Sequence, residues 1–368
     1  MNLNKLTLRE FRNYQACTLD FDPGVNLIVG RNAQGKTNLL EAIFYLGSGK
    51  SFRTQKSGEL LRFGADFGEL EGSLHSQERE QTIRWVLFSG SRPRQIWRNG
   101  AKQKSAAQLA GVIPAVLFCP EDLMILKTGS AQRRRLGDTV LCALRPNYEA
   151  ALSEYQRILE QKSRILKDHF AYPGVLSILP EYNTRLCQVG ALLISYRARF
   201  YDALGRAAAE YHGQFSAGAE EFVLRYKTVS TVKDPFAPLD QLREDLHAHL
   251  ESHARAELET AQCLTGPHKD DFEISLSGID LKAYGSQGQT RTAAISLKLA
   301  QRELMHRELG EEPLLLLDDV LSELDERRQD FVLNQITSGQ VFITCCEPGR
   351  FTSLGKTMEI EQGNLVNG

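Results

Sequence analysis

Residues 30 to 37 have the residue types and spacing of a phosphate-binding loop. Their sequence is Gly30-Arg31-Asn32-Ala33-Gln34-Gly35-Lys36-Thr37, which matches the pattern G-x-x-x-x-G-K-[ST]. An apolar run from Val25 to Val29 precedes the loop, and a helical pattern from Asn38 to Leu46 follows it. The glycines let the backbone approach phosphate oxygens, and the N–H groups of the loop and helix start point at the anion. We therefore predict nucleotide binding, with Lys36 on the β- and γ-phosphates and the Thr37 hydroxyl on Mg²⁺.

Two adjacent aspartates end an apolar run much later in the chain. Leu314 to Leu317 predict a short buried strand, and Asp318 and Asp319 follow it directly. A carboxylate at a strand end can hold Mg²⁺, and a second one beside it can orient or deprotonate the attacking water. Apolar runs that end in aspartate are common, so the presence of a phosphate-binding loop is what favours this role.

A third segment, Tyr284 to Gln289, precedes a helical pattern that runs to Leu309. Its small residues leave the backbone N–H groups and the Ser286 hydroxyl exposed at a helix start, which is a second possible anion site. Alone, such a segment is usually only a capped helix start. The order of loop, segment and aspartate pair is nevertheless typical of ABC-type ATPases, in which the segment completes the γ-phosphate site of a second subunit. Ser322-Glu323-Leu324-Asp325 then occupies the place of their D-loop.

Basic residues cluster between residues 81 and 120, where there is no acidic residue. Both tryptophans, Trp85 and Trp97, lie in this segment. Because the net charge of the chain is −2, binding to a polyanion must depend on such local patches. The segment is either a basic surface hairpin or a surface that contacts phosphates. Its basic residues are Arg84, Arg92, Arg94, Arg98, Lys102 and Lys104.

The secondary-structure pattern divides the chain into α/β ends and a helical middle. Strand patterns fill the first hundred residues and return after Gly266-Pro267. The middle predicts helices at 147–169, 181–212 and 240–262, and a further helix is predicted at 322–335. We predict one lobe from residues 1–120 and 265–368, and a mainly helical lobe from residues 121–264. The fold class is α/β with mixed sheets, and the heptad-like stretch is too short for a long coiled coil.

Composition narrows the class of protein. The chain has 368 residues with 42% hydrophobic and 24% charged residues, which is ordinary for a soluble globular protein. No apolar run approaches the length of a membrane span, and the N-terminus lacks the pattern of a signal peptide. The seven cysteines show no C-x-x-C pair, so we expect free thiols in a reducing, cytoplasmic compartment.

Taken together, the motifs resemble the RecF family of bacterial DNA replication and repair proteins, which are related to the SMC and Rad50 ATPase heads. The resemblance covers both ends of the chain and part of the middle. It rests on the phosphate-binding loop and on Leu8-Arg9-Glu10-Phe11-Arg12-Asn13-Tyr14, Phe118-Cys119-Pro120-Glu121-Asp122-Leu123, Gly129-Ser130, Arg133-Arg134-Arg135, Gly266-Pro267-His268-Lys269-Asp270-Asp271, Tyr284-Gly285-Ser286-Gln287-Gly288-Gln289 and Leu317-Asp318-Asp319-Val320-Leu321-Ser322-Glu323-Leu324-Asp325.

The resemblance implies an ABC-type ATPase head that binds ATP and Mg²⁺, dimerises head-to-head and engages gapped DNA. It implies that RecO and RecR act with the protein to load RecA, and that weak, DNA-stimulated ATP hydrolysis resets it. By position, Gly30 to Thr37 cradle ATP, and Arg12 and Asn32 contact it. Asp318 holds Mg²⁺, Asp319 replaces the usual glutamate, and the D-loop residues are Ser322 and Asp325. The residues that act across the dimer are Ser286, Gln287, Gly288 and Gln289.

Some residues depart from the ABC pattern. Asp319 is one methylene shorter than glutamate, which predicts slow hydrolysis. Thr344-Cys345-Cys346 stands where many ABC proteins have a switch histidine. We interpret His268 as a turn or hairpin histidine, and Gln132 lies near the order expected of a Q-loop glutamine without other support.

Alternatives remain open at this stage. Candidate DNA contacts are Arg92, Arg94, Arg98, Lys102, Lys104, Arg133 and Arg134, although ion pairing within the helical lobe is the simpler role for at least one arginine of 133–135. The chain could instead be the nucleotide-binding subunit of an ABC transporter, but Ser286-Gln287-Gly288-Gln289 lacks the second glycine usual there. An SMC-type structural protein would need long heptad arms.

Overall fold

A computed structural model describes residues 1–54, 56–76, 79–109, 111–336, 338–347 and 349–367. The strands, in chain order, are β1 (Asn2–Phe11), β2 (Tyr14–Asp20), β3 (Val25–Val29), β4 (Phe67–Ser76), β5 (Arg79–Phe88), β6 (Gln95–Arg98), β7 (Ala101–Gln103), β8 (Ala115–Phe118), β9 (Phe222–Lys227), β10 (Asp271–Leu276), β11 (Ile279–Asp280), β12 (Leu314–Asp318), β13 (Val341–Cys345), β14 (Lys356–Glu361) and β15 (Asn364–Asn367).

The α-helices are α1 (Lys36–Ser48), α2 (Ser130–Leu144), α3 (Pro146–Asp168), α4 (Leu179–Ser216), α5 (Leu239–Thr260), α6 (Leu281–Tyr284), α7 (Gln287–Leu309) and α8 (Glu326–Asn334). Short 3₁₀ turns occur at Ser57–Leu60, Ala106–Leu109, Pro120–Met124, Pro173–Ile178, Pro267–Lys269, Val320–Glu323 and Gly349–Leu354. Within the described ranges, no helix has the length and apolar character that crossing a membrane requires.

The chain forms two compact units. Unit 1 comprises Met1–Leu123 and Lys298–Gly368, and unit 2 comprises Met124–Leu297. The first boundary lies close to the predicted residue 120, but the second lies well beyond the predicted residue 265. The difference arises because β10 pairs with β9 in a small sheet of unit 2, so the segment after Gly266 does not return at once to unit 1.

Unit 1 contains an antiparallel sheet with the strand order β2-β1-β4-β5-β6-β7. Exposed and buried residues alternate along β1 and β4, as expected of strands with one face on a core. Leu6, Leu70 and Trp85 are buried on the inner face. Arg84, Trp97 and Lys102 are cross-strand neighbours and therefore share the outer face.

The second sheet of unit 1 has the order β15-β14-β3-β13-β12-β8. Its pairings between β14, β3, β13, β12 and β8 are parallel. Residues 314–318 and 341–345 are buried throughout, which is typical of parallel strands covered on both faces. Leu39 and Ile43 of α1 share one apolar core with Leu6, Leu316 and Phe342, so α1 joins the two sheets. The carboxyl ends of β3 and β12 meet at one edge, where binding sites of such sheets lie.

Unit 2 packs helices α2 to α5 with the sheet β11-β10-β9. The helices predicted at 147–169, 181–212 and 240–262 correspond to α3, α4 and α5. Arg197 of α4 is 2% exposed and forms ion pairs with Asp138 and Asp270 at 3.0 and 2.9 Å. A polar network therefore lies inside this unit.

Candidate nucleotide site and signature segment

The loop after β3 is shaped by two glycines that tolerate no side chain. A Cβ atom at Gly30 would lie 2.4 Å from the carbonyl oxygen of Ile360. Gly35 has φ +117°, and a Cβ atom there would lie 2.7 Å from the side chain of Asn13. Between them, residues 31–33 form an exposed crest. The loop therefore has the close-packed base and open backbone that a phosphate cradle needs.

Residues far apart in sequence hold the loop from behind. Asn13 donates from Nδ2 to the Gln34 carbonyl at 2.9 Å, and the Tyr14 hydroxyl donates to the Gly35 carbonyl at 2.9 Å. The backbone N–H of Gln362 donates to Gln34 Oε1 at 2.7 Å. The Gln34 side chain thus binds a neighbouring strand end and supports the loop, and its contact to the nucleotide stays a prediction.

Lys36 is held at the loop by backbone oxygens. Its Nζ donates to the carbonyls of Gly30 and Arg31 at 2.5 and 3.0 Å and lies 3.7 Å from Cys346 Sγ. The Cys346 thiol in turn donates to Asn32 Oδ1 at 3.0 Å. Cys346 follows the strand where a switch histidine was expected, so this position carries a thiol against the loop. The predicted contact of Asn32 with a nucleotide is not tested by this arrangement.

A hydroxyl and a carboxylate meet beneath the loop. Thr37 Oγ1 donates to Asp318 Oδ1 at 2.9 Å, and Asp318 is 6% exposed. Burial raises the pKa of the Asp318 carboxyl above its ordinary value, and the hydrogen bonds from Thr37 and Thr344 offset part of that rise. A buried carboxylate beside a hydroxyl has the oxygen ligands that Mg²⁺ prefers. The two predicted metal ligands therefore lie together, and their chemistry fits the ion.

Thr344, which the sequence indicated only as part of the segment in place of a switch histidine, organises both aspartates. Its Oγ1 donates to Asp318 Oδ1 at 2.9 Å and accepts from the backbone N–H of Asp319 at 2.8 Å. Asp319 has φ 52°, and its Oδ1 is buried without a hydrogen-bond partner among the described residues. A buried, unsatisfied acceptor beside a metal-type pair fits a water or an ion at that point.

Arg12 pairs with a glutamate of α1, the helix that follows the loop. Its Nε and Nη2 donate to the two carboxylate oxygens of Glu41 in α1, each at 2.8 Å, and its Nη1 donates to the Glu59 carbonyl at 2.7 Å. Glu41 is fully buried, so this bidentate pair anchors the turn between β1 and β2 to α1. Nucleotide contact by Arg12 stays a prediction.

The signature segment, residues 284–289, lies in unit 2 and starts α7 with a capping box. Ser286 N donates to Gln289 Oε1 at 3.0 Å, and Gln289 N donates to Ser286 Oγ at 3.2 Å. Gln289 Nε2 donates to Glu220 Oε1 at 2.7 Å. The amide of Gln289 is therefore committed within its own chain, and its contact with a second subunit's nucleotide stays a prediction. Ser286 and Gln287 are exposed, and the hydroxyl hydrogen of Ser286 remains available as a donor.

The D-loop residues have local roles in unit 1. Ser322 Oγ donates to the Asp319 carbonyl at 2.6 Å. Asp325 caps α8, since its Oδ1 accepts from the backbone N–H of Arg328 at 3.0 Å. The helix predicted at 322–335 is wrong at its start for this reason, because Val320–Glu323 forms a 3₁₀ turn before the cap.

Comparison with known proteins identifies the family. The family described as RecF/RecN/SMC N terminal domain matches residues 2–365. The DNA replication and repair protein RecF of Staphylococcus aureus is 40% identical over 373 residues, covering 100% of both chains. That of Acetivibrio thermocellus is 36% identical over 352 residues and covers 95% of each chain. This chain belongs to the RecF family.

Solved structures agree with this assignment. The recombination mediator protein RecF of the RecFOR pathway, solved with ATP, matches with a TM-score of 0.90 and 33% identity over 99% of this chain and 96% of that chain. The Smc head domain from Pyrococcus furiosus, solved with the C-terminal domain of ScpA, matches with a TM-score of 0.56 and 17% identity over 99% of this chain and 94% of that chain, which shows a shared fold. The predicted ATPase-head fold is therefore confirmed. Membership of the RecF family also argues against the alternative that the chain is a transporter subunit.

Two of the arginines that we considered as DNA contacts in this RecF chain make contacts within the protein. Arg133 is 2% exposed and donates to both oxygens of Asp271, at 2.6 and 2.8 Å. Arg94 donates to the Tyr45 hydroxyl at 2.7 Å and lies 5.0 Å from the centre of the Trp85 ring. Arg133 is buried and cannot serve a phosphate without breaking these contacts, so its prediction is corrected, whereas DNA contact by Arg94, which bonds through Nη1, stays a prediction.

The remaining basic candidates differ in their surroundings. Arg92 is exposed and lies 3.7 Å over the Phe88 ring. Lys102, also exposed, lies 5.9 Å over the Trp97 ring. Lys104 is exposed. Arg98 donates to Gln81 Oε1 at 3.1 and 2.8 Å, and Arg134 donates to the Asp270 carbonyl at 2.7 Å.

His268 has a structural role in unit 2. Its Nε2 donates to the Cys263 carbonyl at 3.0 Å, so its Nδ1 accepts from the Tyr155 hydroxyl at 2.8 Å. Burial is the main cause that lowers the pKa of His268 to about 4. The histidine is therefore a neutral link between α3 and the Gly266-Pro267 turn. Gln132 is exposed on α2, and nothing about its position assigns it to a Q-loop.

Proposed function

We propose that this RecF-family chain is an ATP-dependent DNA-binding protein of recombinational repair and replication restart. ATP joins two copies head-to-head on gapped DNA in the cytoplasm, and slow hydrolysis separates them. The observation that carries the proposal is the contact between Thr37 Oγ1 and Asp318 Oδ1, 2.9 Å apart beneath the loop. It joins the phosphate-binding loop to the carboxylate that an ATPase needs beside it.

Nucleotide binding uses groups that already face the loop. The Lys36 ammonium exchanges the carbonyls of Gly30 and Arg31 for phosphate oxygens, which are stronger acceptors because they carry charge. Thr37 and Asp318 are the residues that would hold Mg²⁺. When bound, the ion neutralises charge on the phosphate oxygens. The exposed crest, residues 31–33, offers backbone N–H groups to the same anion.

Hydrolysis depends on Asp319 and is expected to be slow. The carboxylate follows the Mg²⁺-type ligand directly, and its Oδ1 has no hydrogen-bond partner among the described residues. It is therefore suited to accept a hydrogen bond from the attacking water. An aspartate reaches one methylene less far than glutamate, and its backbone is fixed at φ 52° by the turn. Poorer positioning of the water favours a switch with a long ATP-bound state.

The second copy contributes Ser286 to the γ-phosphate. Its hydroxyl and the N–H groups at the start of α7 form a helix N-terminus, which attracts anions. Because the Gln289 amide is committed to Ser286 N and Glu220, the contribution in trans comes from the serine hydroxyl and the backbone.

DNA binding is supported by the outer face of the antiparallel sheet. Arg92 over Phe88 and Lys102 over Trp97 combine cations with aromatic rings, a combination suited to phosphates and exposed bases. The related RecF structures belong to the RecFOR pathway. We therefore include RecO and RecR as partners of this chain, acting with it to load RecA.

The first test is binding of a fluorescent gapped duplex with ATP, with ADP and without nucleotide, for the wild type, Lys36→Met and Ser286→Arg. We expect tight, salt-sensitive binding with ATP alone. Lys36→Met should lose it together with nucleotide affinity, and Ser286→Arg should lose it while ATP affinity remains. Equal DNA binding in all three nucleotide states, or none in any, would overturn the proposal.

A further inference from the structure

The signature segment is held by residues that lie outside it. Lys127 Nζ donates to the Lys282 carbonyl at 2.7 Å and to the carbonyls of Leu281 and Gly285, each at 3.3 Å. These oxygens belong to the first two residues of α6 and to Gly285, the residue before Ser286. A lysine in this position can satisfy carbonyls that a short helix leaves open, and it shares the Leu281 carbonyl with the backbone N–H of Gly285, which donates to it at 3.0 Å. Lys127 therefore fixes the backbone that leads into Ser286 of the signature segment.

Close packing restricts the same stretch of backbone before Ser286. A Cβ atom at Gly285 would lie 2.4 Å from both the carbonyl oxygen and Cδ1 of Leu281. Leu281 itself is 1% exposed, so it cannot move aside easily. Asp280 caps α6 by accepting from the backbone N–H groups of Lys282 and Ala283, each at 3.2 Å. The backbone before Ser286 is thus fixed by packing and by hydrogen bonds at both ends of α6.

A second set of contacts fixes the residues that follow Ser286. Glu220 accepts from Gln289 Nε2 at 2.7 Å through Oε1 and contacts His212 Nε2 at 2.8 Å through Oε2. His212 is fully buried in α4, so the carboxylate is tied to the rigid interior of unit 2. The amide of Gln289 is thereby oriented so that its Oε1 faces Ser286 N at 3.0 Å. Glu220 therefore sets the capping box that presents the Ser286 hydroxyl.

We infer that Lys127 and Glu220 are positioning residues for the signature segment, holding Ser286 in the geometry that a nucleotide bound by a second copy of this chain requires. The inference rests on the proposed function. Donors fixed in advance are worth more than mobile ones, because no ordering cost falls on the closing step. All of these contacts lie within unit 2, whereas the phosphate-binding loop belongs to unit 1.

The test compares Lys127→Met and Glu220→Ala with matched controls. Lys233→Met removes another exposed lysine of unit 2 that donates to a backbone carbonyl, that of Ser230 at 2.8 Å. Glu221→Ala removes the exposed carboxylate next to Glu220. We expect unchanged ATP affinity in all four variants. ATP-dependent dimerisation, measured by sedimentation, should weaken about tenfold in the first two, as for loss of one charge-assisted hydrogen bond.

Two further readouts separate positioning from general stability. The kcat for ATP should fall while KM stays unchanged, and Lys127→Arg should recover most of the activity because it keeps the cation. Hydrogen exchange of the monomer without nucleotide should become faster at the amides of residues 284–290 in Lys127→Met and Glu220→Ala, and in neither control. Unchanged exchange there would overturn the inference, as would a parallel loss of ATP affinity, which would indicate damage beyond the segment.

Ser286→Arg distinguishes the two proposals. If it blocks the dimer while Lys127→Met and Glu220→Ala dimerise and turn over like the wild type, the inference is wrong and the proposed function stands. If Ser286→Arg itself forms the full ATP-dependent dimer, Ser286 does not contribute to the nucleotide site of the second copy. That part of the proposed function is then wrong, and so is the role of Lys127 and Glu220 in positioning Ser286.

Discussion

Thr344 Oγ1 lies 2.9 Å from Asp318 Oδ1 and accepts the backbone N–H of Asp319 at 2.8 Å. One hydroxyl on β13 therefore fixes the side chain of the first aspartate and the backbone of the second. This is possible because Asp318 and Thr344 are register partners in the parallel pair β12 and β13. The strand pairing, and not the aspartate motif alone, sets the direction in which the two carboxylates point.

Thr344→Val should reduce ATP turnover by about tenfold, because the two aspartates lose their common hydrogen-bond partner and the partly buried N–H of Asp319 is left unsatisfied, at a cost of about 1–3 kcal/mol. ATP affinity should change little, since Lys36 and the loop glycines are untouched. Steady-state hydrolysis and equilibrium nucleotide binding measure the two effects. Thr344→Ser keeps the hydroxyl and is the control. Equal turnover for the valine and serine variants would contradict this role for Thr344.

The parts of the site that the sequence predicts are those with a local pattern. Gly30, Lys36 and Thr37 are close in sequence, and their spacing alone fixes a loop between a strand and a helix. Thr344 and Glu220 could not be predicted, because the register of β12 with β13 and the tertiary contact between Glu220 and Gln289 bring them to the site. No local pattern distinguishes them from other threonines and glutamates.

The difference between local patterns and long-range contacts also explains which parts of the fold the sequence predicts. Helices α3, α4 and α5 were predicted because their apolar periodicity is local. The boundary near residue 265 was misplaced because the pairing of β10 with β9 joins Asp271–Leu276 to Phe222–Lys227, a long-range contact. Arg94 and Arg133 were candidates for DNA because charge is visible in a sequence, whereas their partners Tyr45 and Asp271 are distant along the chain.

Stability should fall with acid through His268. Folding lowers the pKa of this histidine from 6.5 to about 4, so the unfolded chain binds its proton first as the pH falls. The contribution of His268 to stability is therefore complete above pH 6.5 and is lost as the pH falls towards 4, by up to about 3 kcal/mol. Urea unfolding between pH 7.5 and 4.5, followed by circular dichroism, measures the slope.

His268→Gln should flatten this dependence on pH, because glutamine does not titrate. His247→Gln is the control, since His247 is an exposed histidine paired with Glu251 on one helix at 3.2 Å. It should leave the slope unchanged. The same slope in the wild type and in His268→Gln would show that other groups cause the acid sensitivity.

Substitutions of basic residues should separate DNA contact from structure. Arg92→Gln combined with Lys102→Gln should reduce the slope of log K against log salt by about 2, because each phosphate contact contributes about 0.9 on duplex DNA. Thermal stability should stay close to that of the wild type, since both residues are exposed. An unchanged salt slope would remove this sheet face from the DNA interface.

Arg133→Gln is the matched contrast. It leaves Asp271 without its bidentate partner. Because Arg133 is buried but Asp271 is 28% exposed, the free energy of unfolding should fall by about 2 kcal/mol, as for charged hydrogen bonds. The salt dependence of DNA binding should be unchanged below the melting temperature. A smaller salt slope with full stability would return Arg133 to the set of DNA contacts.

Alkylation of Cys346 should block the nucleotide site. This exposed thiol lies 3.7 Å from Lys36 Nζ and donates to Asn32 Oδ1 at 3.0 Å, so a maleimide on its sulfur would occupy space beside the loop lysine. We expect modified protein to bind a fluorescent ATP analogue at least about tenfold more weakly, a loss of about 1.4 kcal/mol. Bound ATP should slow the modification, which peptide mass spectrometry measures at Cys346.

The control variant Cys346→Ser should bind the analogue normally and should resist inhibition, because Cys142, Cys187, Cys263 and Cys345 are buried. Inhibition that persists in the serine variant would place the sensitive thiol elsewhere, with Cys17 and Cys119 next in exposure.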